Sequence, residues 1–116
     1  MVNNVYILDK PQGITSFDAV KHMRSRLGIR RVGHAGTLDP FATGLLIVAT
    51  GRFTRMTDYF HRYEKTYHTR FRLGVRTDTD DMTGRVLAED AAGEIREEDV
   101  RRFLDGCHGE ILQVPP

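Results

Sequence analysis

Val5-Tyr6-Ile7-Leu8-Asp9-Lys10-Pro11-Gln12-Gly13-Ile14-Thr15-Ser16-Phe17-Asp18 passes directly from one kind of local structure to another. Residues 5–8 are a short apolar run, and the Asp-Lys-Pro-Gln-Gly that ends it reads as a strand entering a turn. Ser16 is placed to cap a helix over 17–27, with Asp18 in its first turn and Gly28 just past its end. Phe17, Val20, Met23 and Leu27 recur at helical spacing, which gives the helix one stripe to bury. Its other face holds Lys21, Arg24 and Arg26, and Arg30 and Arg31 follow. A strand, a turn and a one-faced helix in immediate succession imply a sheet with helices layered on it.

Outward from this stretch, Gly33-His34-Ala35-Gly36-Thr37-Leu38-Asp39-Pro40 reads as a loop, by its glycines and proline. Residues 45–49 lack two-residue alternation and are predicted as a strand buried on both faces. Phe53, Met56 and Phe60 have the spacing of a second, short helix. Over 66–73, Tyr67, Thr69, Phe71 and Leu73 alternate with His68, Arg70 and Arg72, which predicts a half-exposed strand with a basic outer face. The Thr- and Asp-rich stretch 76–84 is predicted as a loop and 85–88 as a strand. Ile95, Val100, Phe103, Leu104 and Cys107 suit a helix over 96–106, and 110–116 reads as a strand broken off at Pro115-Pro116. The expected class is α+β.

The 116 residues leave room for one domain, and a chain of this length buries roughly two-thirds of its surface, enough for a core without staples. Hydrophobic residues at 40% against 28% charged argue against disorder. No apolar run approaches the ~18 residues of a membrane span, and no signal peptide is visible at the N-terminus. Cys107 is the only cysteine, which excludes an internal disulfide and any multi-cysteine metal site and points to a cytoplasmic location. The net charge of +1 conceals an asymmetry: residues 1–76 carry 13 Lys/Arg against 5 Asp/Glu, residues 77–116 carry 4 against 11. A basic first part of this kind suits a polyanion.

Asp39 is the most informative residue. It is the only carboxylate between Asp18 and Asp58, a stretch with seven Lys/Arg residues. Neighbouring cations favour its ionised form, and Pro40 biases it toward an extended backbone. A rigid, ionised carboxylate in a glycine-bracketed loop serves as nucleophile or general base, or else caps a nearby backbone N–H; residue types leave both open. Tyr67 offers a ring to stack on a nucleobase and a hydroxyl for proton transfer, or is a core aromatic. His34 is a stacking, hydrogen-bonding or proton-exchanging candidate, or a plain surface residue. Lys21, Arg24, Arg30 and Arg31 form an acid-free basic face, either for phosphates or for solvent. The Asp78-Thr79-Asp80-Asp81 run has its glycine misplaced for a calcium loop, no phosphate-loop or dinucleotide fingerprint occurs, and the histidines lack metal-ligand spacing. The sequence implies no cofactor and no metal.

Leu8-Asp9-Lys10-Pro11, the 33–40 octapeptide with Thr43-Gly44-Leu45-Leu46, Lys65-Thr66-Tyr67, Leu73-Gly74-Val75-Arg76-Thr77-Asp78-Thr79-Asp80 and Gln113-Val114-Pro115-Pro116 together resemble the TruB-type pseudouridine synthases, in order and over essentially the whole chain. The resemblance implies a mixed, largely antiparallel sheet flanked by helices, of which 1–116 is the N-terminal portion of the catalytic domain. It implies isomerisation of uridine to pseudouridine at position 55 in the T-arm of tRNA by a protein that is monomeric at full length, without cofactor, metal or membrane. Asp39 matches the catalytic aspartate, Tyr67 the tyrosine that stacks on the flipped base, and His34 a histidine near the substrate's entry path. Lys10 and Pro11 match a motif that supports the active-site loop.

The chemistry cuts a C–N glycosidic bond, turns the base and rejoins it at carbon, which suits a carboxylate that attacks sugar or ring or removes a proton. A uridine stacked in a folded arm must be everted to react. The interpretation sets Asp39 at a cleft beside the Tyr67 ring. Family members carry a further catalytic half, with an arginine that pairs with the aspartate, and an RNA-binding C-terminal domain; the 116 residues alone are therefore expected to be inactive or nearly so. Two other readings stand beside this one: a synthase of the same fold acting on another RNA with a guide or partner, and a non-catalytic RNA-binding module.

Overall fold

The computed structural model describes residues 2–90 and 93–116. The chain divides into two compact units, Met1–Thr66 and Tyr67–Pro116.

In the first unit, β1 (Val5–Lys10), β2 (Val32–Ala35) and β3 (Gly44–Thr50) form an antiparallel sheet in the order β1-β3-β2. The chain therefore places β3 in the centre, paired with β1 from Val5↔Ala49 to Lys10↔Gly44 and with β2 from Val32↔Thr50 to Ala35↔Ile47. Helix α1 (Ser16–Leu27) lies over it and contributes Ala19 and Val20 to a core completed by Val32, Leu46 and Val48. Leu8, Ile14, Met23, Ile29 and Leu38 pack around that core. A 3-10 turn (Gly51–Met56) and a single helical turn, α2 (Thr57–Phe60), follow β3. The α+β class read from the sequence is the class observed.

Helix α1 starts one residue earlier than its sequence signals imply. Thr15, not Ser16, is the N-cap: its hydroxyl accepts the Asp18 N–H at 3.0 Å, while the Asp18 carboxylate accepts the Thr15 N–H at 3.1 Å. This reciprocal box satisfies two donors that a helix end otherwise leaves open. The Thr15 hydroxyl and N–H, with the Lys21 ammonium, hold the Asp18 carboxyl down to about 2. A carboxylate so depressed stabilises the fold above its ordinary titration range, and the contribution is lost as pH falls through the folded value. The urea midpoint is expected to drop between pH 5 and pH 2, and Asp18→Asn to flatten part of that drop. An identical pH dependence in the variant would remove the box as its cause. Gly28 closes the helix in the left-handed region at φ 63°, as its position implies.

Phe17 departs from the predicted buried stripe. It is exposed, with Lys21 Nζ 4.9 Å and the Arg24 guanidinium 5.8 Å from its ring centre. The ring is covered by cations instead of by the core. Within 45–49, Leu46, Val48 and Ala49 are buried as expected, but Leu45 is exposed and Ile47 only half-buried, so the strand is not covered on both faces; Thr50, beyond the expected end, is buried too.

The second unit contains a two-stranded antiparallel sheet, β4 (Val75–Thr77) and β5 (Val86–Glu89), and helix α3 (Glu97–Asp105). The predicted strand at 85–88 and helix at 96–106 appear within a residue or so of their expected bounds. Residues 66–73 and 110–116 are not strands. Alternation fixes which side chains share a face, but a strand also needs a hydrogen-bonding neighbour. None pairs with either stretch among the described residues, and Tyr67, Phe71, Leu112 and Val114 stay exposed. The Asp-Thr stretch forms the connection from β4 to β5. There Asp81 accepts the Thr83 hydroxyl at 2.6 Å, the Thr83 N–H at 2.7 Å and the Thr79 hydroxyl at 2.8 Å, bonds that hold its carboxyl below the usual range.

Candidate active site

Asp39 lies on the connection between β2 and β3. The backbone there makes a β-turn, Asp39-Pro40-Phe41-Ala42, in which the Ala42 N–H donates to the Asp39 carbonyl at 3.0 Å. Aspartate at the first position and proline at the second are the residues such a turn prefers, because proline presets φ for the second position. Gly36, at φ +96°, bends the chain out of β2 in a region closed to most side chains.

The 10–16 segment holds this turn from below. Two-residue alternation along β1 brings Tyr6, Leu8 and Lys10 to the inner face, so Lys10 is buried although it is charged. Its Nζ donates to the carbonyls of Pro11 at 2.9 Å, Ile14 at 2.7 Å and Pro40 at 3.3 Å. The Gly13 N–H also donates to the Pro40 carbonyl, at 2.8 Å. A buried lysine is tolerated here because every one of its three protons has an acceptor.

The Asp39 side chain is exposed, and its carboxylate has no hydrogen-bond or ion-pair partner among the described residues. The cations expected around it are thus not within ion-pair reach in these residues. His34 is in β2, not in a loop as its glycine-rich surroundings imply, since antiparallel pairing extends through Ala35. The ring is half-buried opposite Val48, with Nδ1 2.5 Å from the Gly36 carbonyl. Because a carbonyl only accepts, Nδ1 is the donor in that bond. Tyr67 is the first residue of the second unit and is exposed.

The four basic candidates differ in their engagement. Lys21 pairs with Asp18 at 3.1 Å on the surface. Arg24 is half-buried and donates to the Val32 carbonyl at 3.0 Å, tying α1 to β2. Arg31 Nε donates to the Thr54 hydroxyl at 2.9 Å, and the Arg30 guanidinium is exposed without a partner among the described residues. Arg30 is the most available to an outside anion. Among the described residues no group of three or more His, Cys, Asp and Glu side chains is gathered for a metal, and no helix is long and apolar enough to cross a membrane.

Fold and site together define an α+β unit in which the Asp39 carboxylate, unpartnered among the described residues, stands on a hydrogen-bonded turn and faces solvent. The chain belongs to the TruB family pseudouridylate synthases: the family's N terminal domain matches residues 24–116, a span that contains His34, Asp39 and Tyr67. Among curated relatives, the tRNA pseudouridine synthase B of Thermobifida fusca (strain YX) is 47% identical over 116 residues, which is 100% of this chain and 40% of that protein. That of Endomicrobium trichonymphae is 41% identical over 115 residues, 99% of this chain and 50% of that protein. That of Bifidobacterium longum (strain DJO10A) is 53% identical over 90 residues, 78% of this chain and 23% of that protein. The chain spans half or less of the length of these relatives. The first two alignments take in essentially the whole chain, and with it the 10–16 segment beneath the Asp39 turn.

Proposed function

We propose that the protein containing these residues isomerises uridine to pseudouridine in tRNA, at position 55 of the T-arm, in the cytoplasm. Family membership and the names of the relatives support a pseudouridine synthase with tRNA as its substrate. The observation that carries the assignment to a residue is the Asp39 turn: a carboxylate, accessible and unpartnered among the described residues, whose neighbouring Pro40 carbonyl is held by hydrogen bonds from the buried Lys10 and from Gly13. Preorganisation of this kind is what a nucleophile or base needs, because little is left to order when substrate arrives.

In this reading Asp39 is the nucleophile. Its carboxylate bonds to the ribose or the ring as the glycosidic C1′–N1 bond breaks and is released as the product forms; the base turns in place, C5 bonds to C1′, the C5 proton leaves to solvent and N1 takes a proton from solvent. Tyr67 stacks on the everted base and His34 lies on its entry path. Lys10 and Pro11 support the loop. The RNA backbone runs over the basic side of α1, with Arg30, which has no partner among the described residues, carrying more of the binding than Lys21, Arg24 and Arg31, whose side chains are already hydrogen-bonded.

Tritium release from tRNA labelled at C5 of uridine, by the full-length protein, tests the activity; loss of release when uridine 55 is replaced by cytidine tests the position. Arg30→Ala with Arg31→Ala is expected to reduce the slope of log affinity against log salt by about 1 for each phosphate no longer neutralised. An unchanged slope would move the RNA path to another face.

A further inference from the structure

Ser16 is buried, and among the described residues the only side-chain hydrogen-bond partner it has outside its own helix is Leu38, the residue before Asp39. Its Oγ accepts the Leu38 N–H at 2.9 Å and donates to the Leu38 carbonyl at 3.3 Å, a two-way bond across 22 residues of sequence. Because Thr15 caps α1, the Ser16 hydroxyl is not occupied by the helix end. The Leu38 side chain in turn packs on the core. On the other side of Asp39, the Pro40 carbonyl is held by Lys10 and Gly13. Both peptide neighbours of the candidate nucleophile are thus fixed, each by a different part of the 10–16 segment.

We propose that Ser16 is a positioning residue for the reaction: its hydroxyl fixes the Leu38 peptide and, through it, the direction of the Asp39 carboxylate. This rests on the reading of Asp39 as the nucleophile. Ser16 touches no substrate and takes no proton. Its effect is confined to the orientation of a group that gains its rate from being placed in advance, where a displacement of about 1 Å costs on the order of 100-fold. Binding of the RNA, which Asp39 does not carry, is left alone.

The test is made in the full-length protein with C5-tritiated tRNA, on Ser16→Ala, Ser16→Thr and Ser16→Cys. Ser16→Ala is expected to lower kcat by about 10- to 100-fold with KM and tRNA affinity unchanged, and to speed amide hydrogen exchange at Leu38 more than elsewhere in the sheet. Ser16→Thr, which keeps the hydroxyl, should restore most of kcat. Should Ser16→Ala fold poorly, Ser16→Cys supplies the same shape with a weaker donor and acceptor, and an intermediate kcat at full folding supports the assignment. Wild-type kcat in Ser16→Ala, or a loss that follows the folded fraction and is not restored by Ser16→Thr, overturns it. Leu38 exchange and the Ser16 series are read separately from Asp39→Asn. Retained turnover in that variant would refute the Asp39 reading, while faster Leu38 exchange in Ser16→Ala would still stand as a measure of the clamp.

Discussion

Asp39→Asn in the full-length protein is expected to lower tritium release by roughly 1,000-fold or more, as removal of a nucleophile does in enzymes that depend on one. Binding of tRNA should stay within about threefold of the unsubstituted protein. The substitution is nearly isosteric, and the Asp39 side chain has no partner among the described residues, so no structural bond disappears with the charge. Its backbone carbonyl, which accepts the Ala42 N–H, is unchanged. The fold is therefore expected to keep its thermal midpoint, which separates chemistry from stability. Turnover within tenfold of the unsubstituted protein would reassign the nucleophile to another group.

The second large effect is expected at Lys10. Lys10→Met keeps most of the volume, so it opens no cavity of consequence. It removes three donors at once. The Pro40 carbonyl keeps the Gly13 N–H, but the Pro11 and Ile14 carbonyls lose the donor that Lys10 supplies. A buried acceptor left open costs about 1–3 kcal/mol; Pro11 is exposed and Ile14 half-buried, so a loss of about 2 kcal/mol in urea unfolding is expected. The Asp39 turn loosens as well, and kcat should fall by more than the unfolded fraction accounts for. Stability within about 1 kcal/mol of the unsubstituted protein would show that water takes over the bonds. Lys10 and Ser16 differ in this respect: the lysine supports both the fold and the turn, whereas the serine acts on the turn.

Much of the first unit is legible in the sequence because its signals are local. The apolar run before Lys10, the helical spacing from Val20 to Leu27 and the glycine at 28 each act within a few residues of where they are written. The start of α1 is ambiguous by one residue because Ser16 and Thr15 are both good caps. The Thr15-x-x-Asp18 spacing is the signal that separates them, and it leaves Ser16 free for its bond to Leu38. The two glycines flanking His34 imply a loop, yet the residue is in a strand. That strand exists only through pairing with β3, which residues 32–35 do not themselves specify.

In the second unit, Tyr67 to Leu73 carry a sound two-residue pattern without forming a strand. The pattern reports how side chains would divide between faces, and the ladder partner comes from elsewhere or not at all. The same holds for 110–116, where Leu112 and Val114 remain exposed.

Sequence by itself determined the α+β class, the family, the lone carboxylate in a cationic stretch and the loop that bears it, because these are properties of residue type and close spacing. Only the tertiary structure decided that Lys10 is buried with its three acceptors, that Ser16 grips Leu38, and that Arg24 is tied to β2 while Arg30 has no partner among the described residues. The bonds from Lys10 to Pro40, from Ser16 to Leu38 and from Arg24 to β2 join groups from separate parts of the chain, and such bonds are set by how the strands pair and how the helix docks.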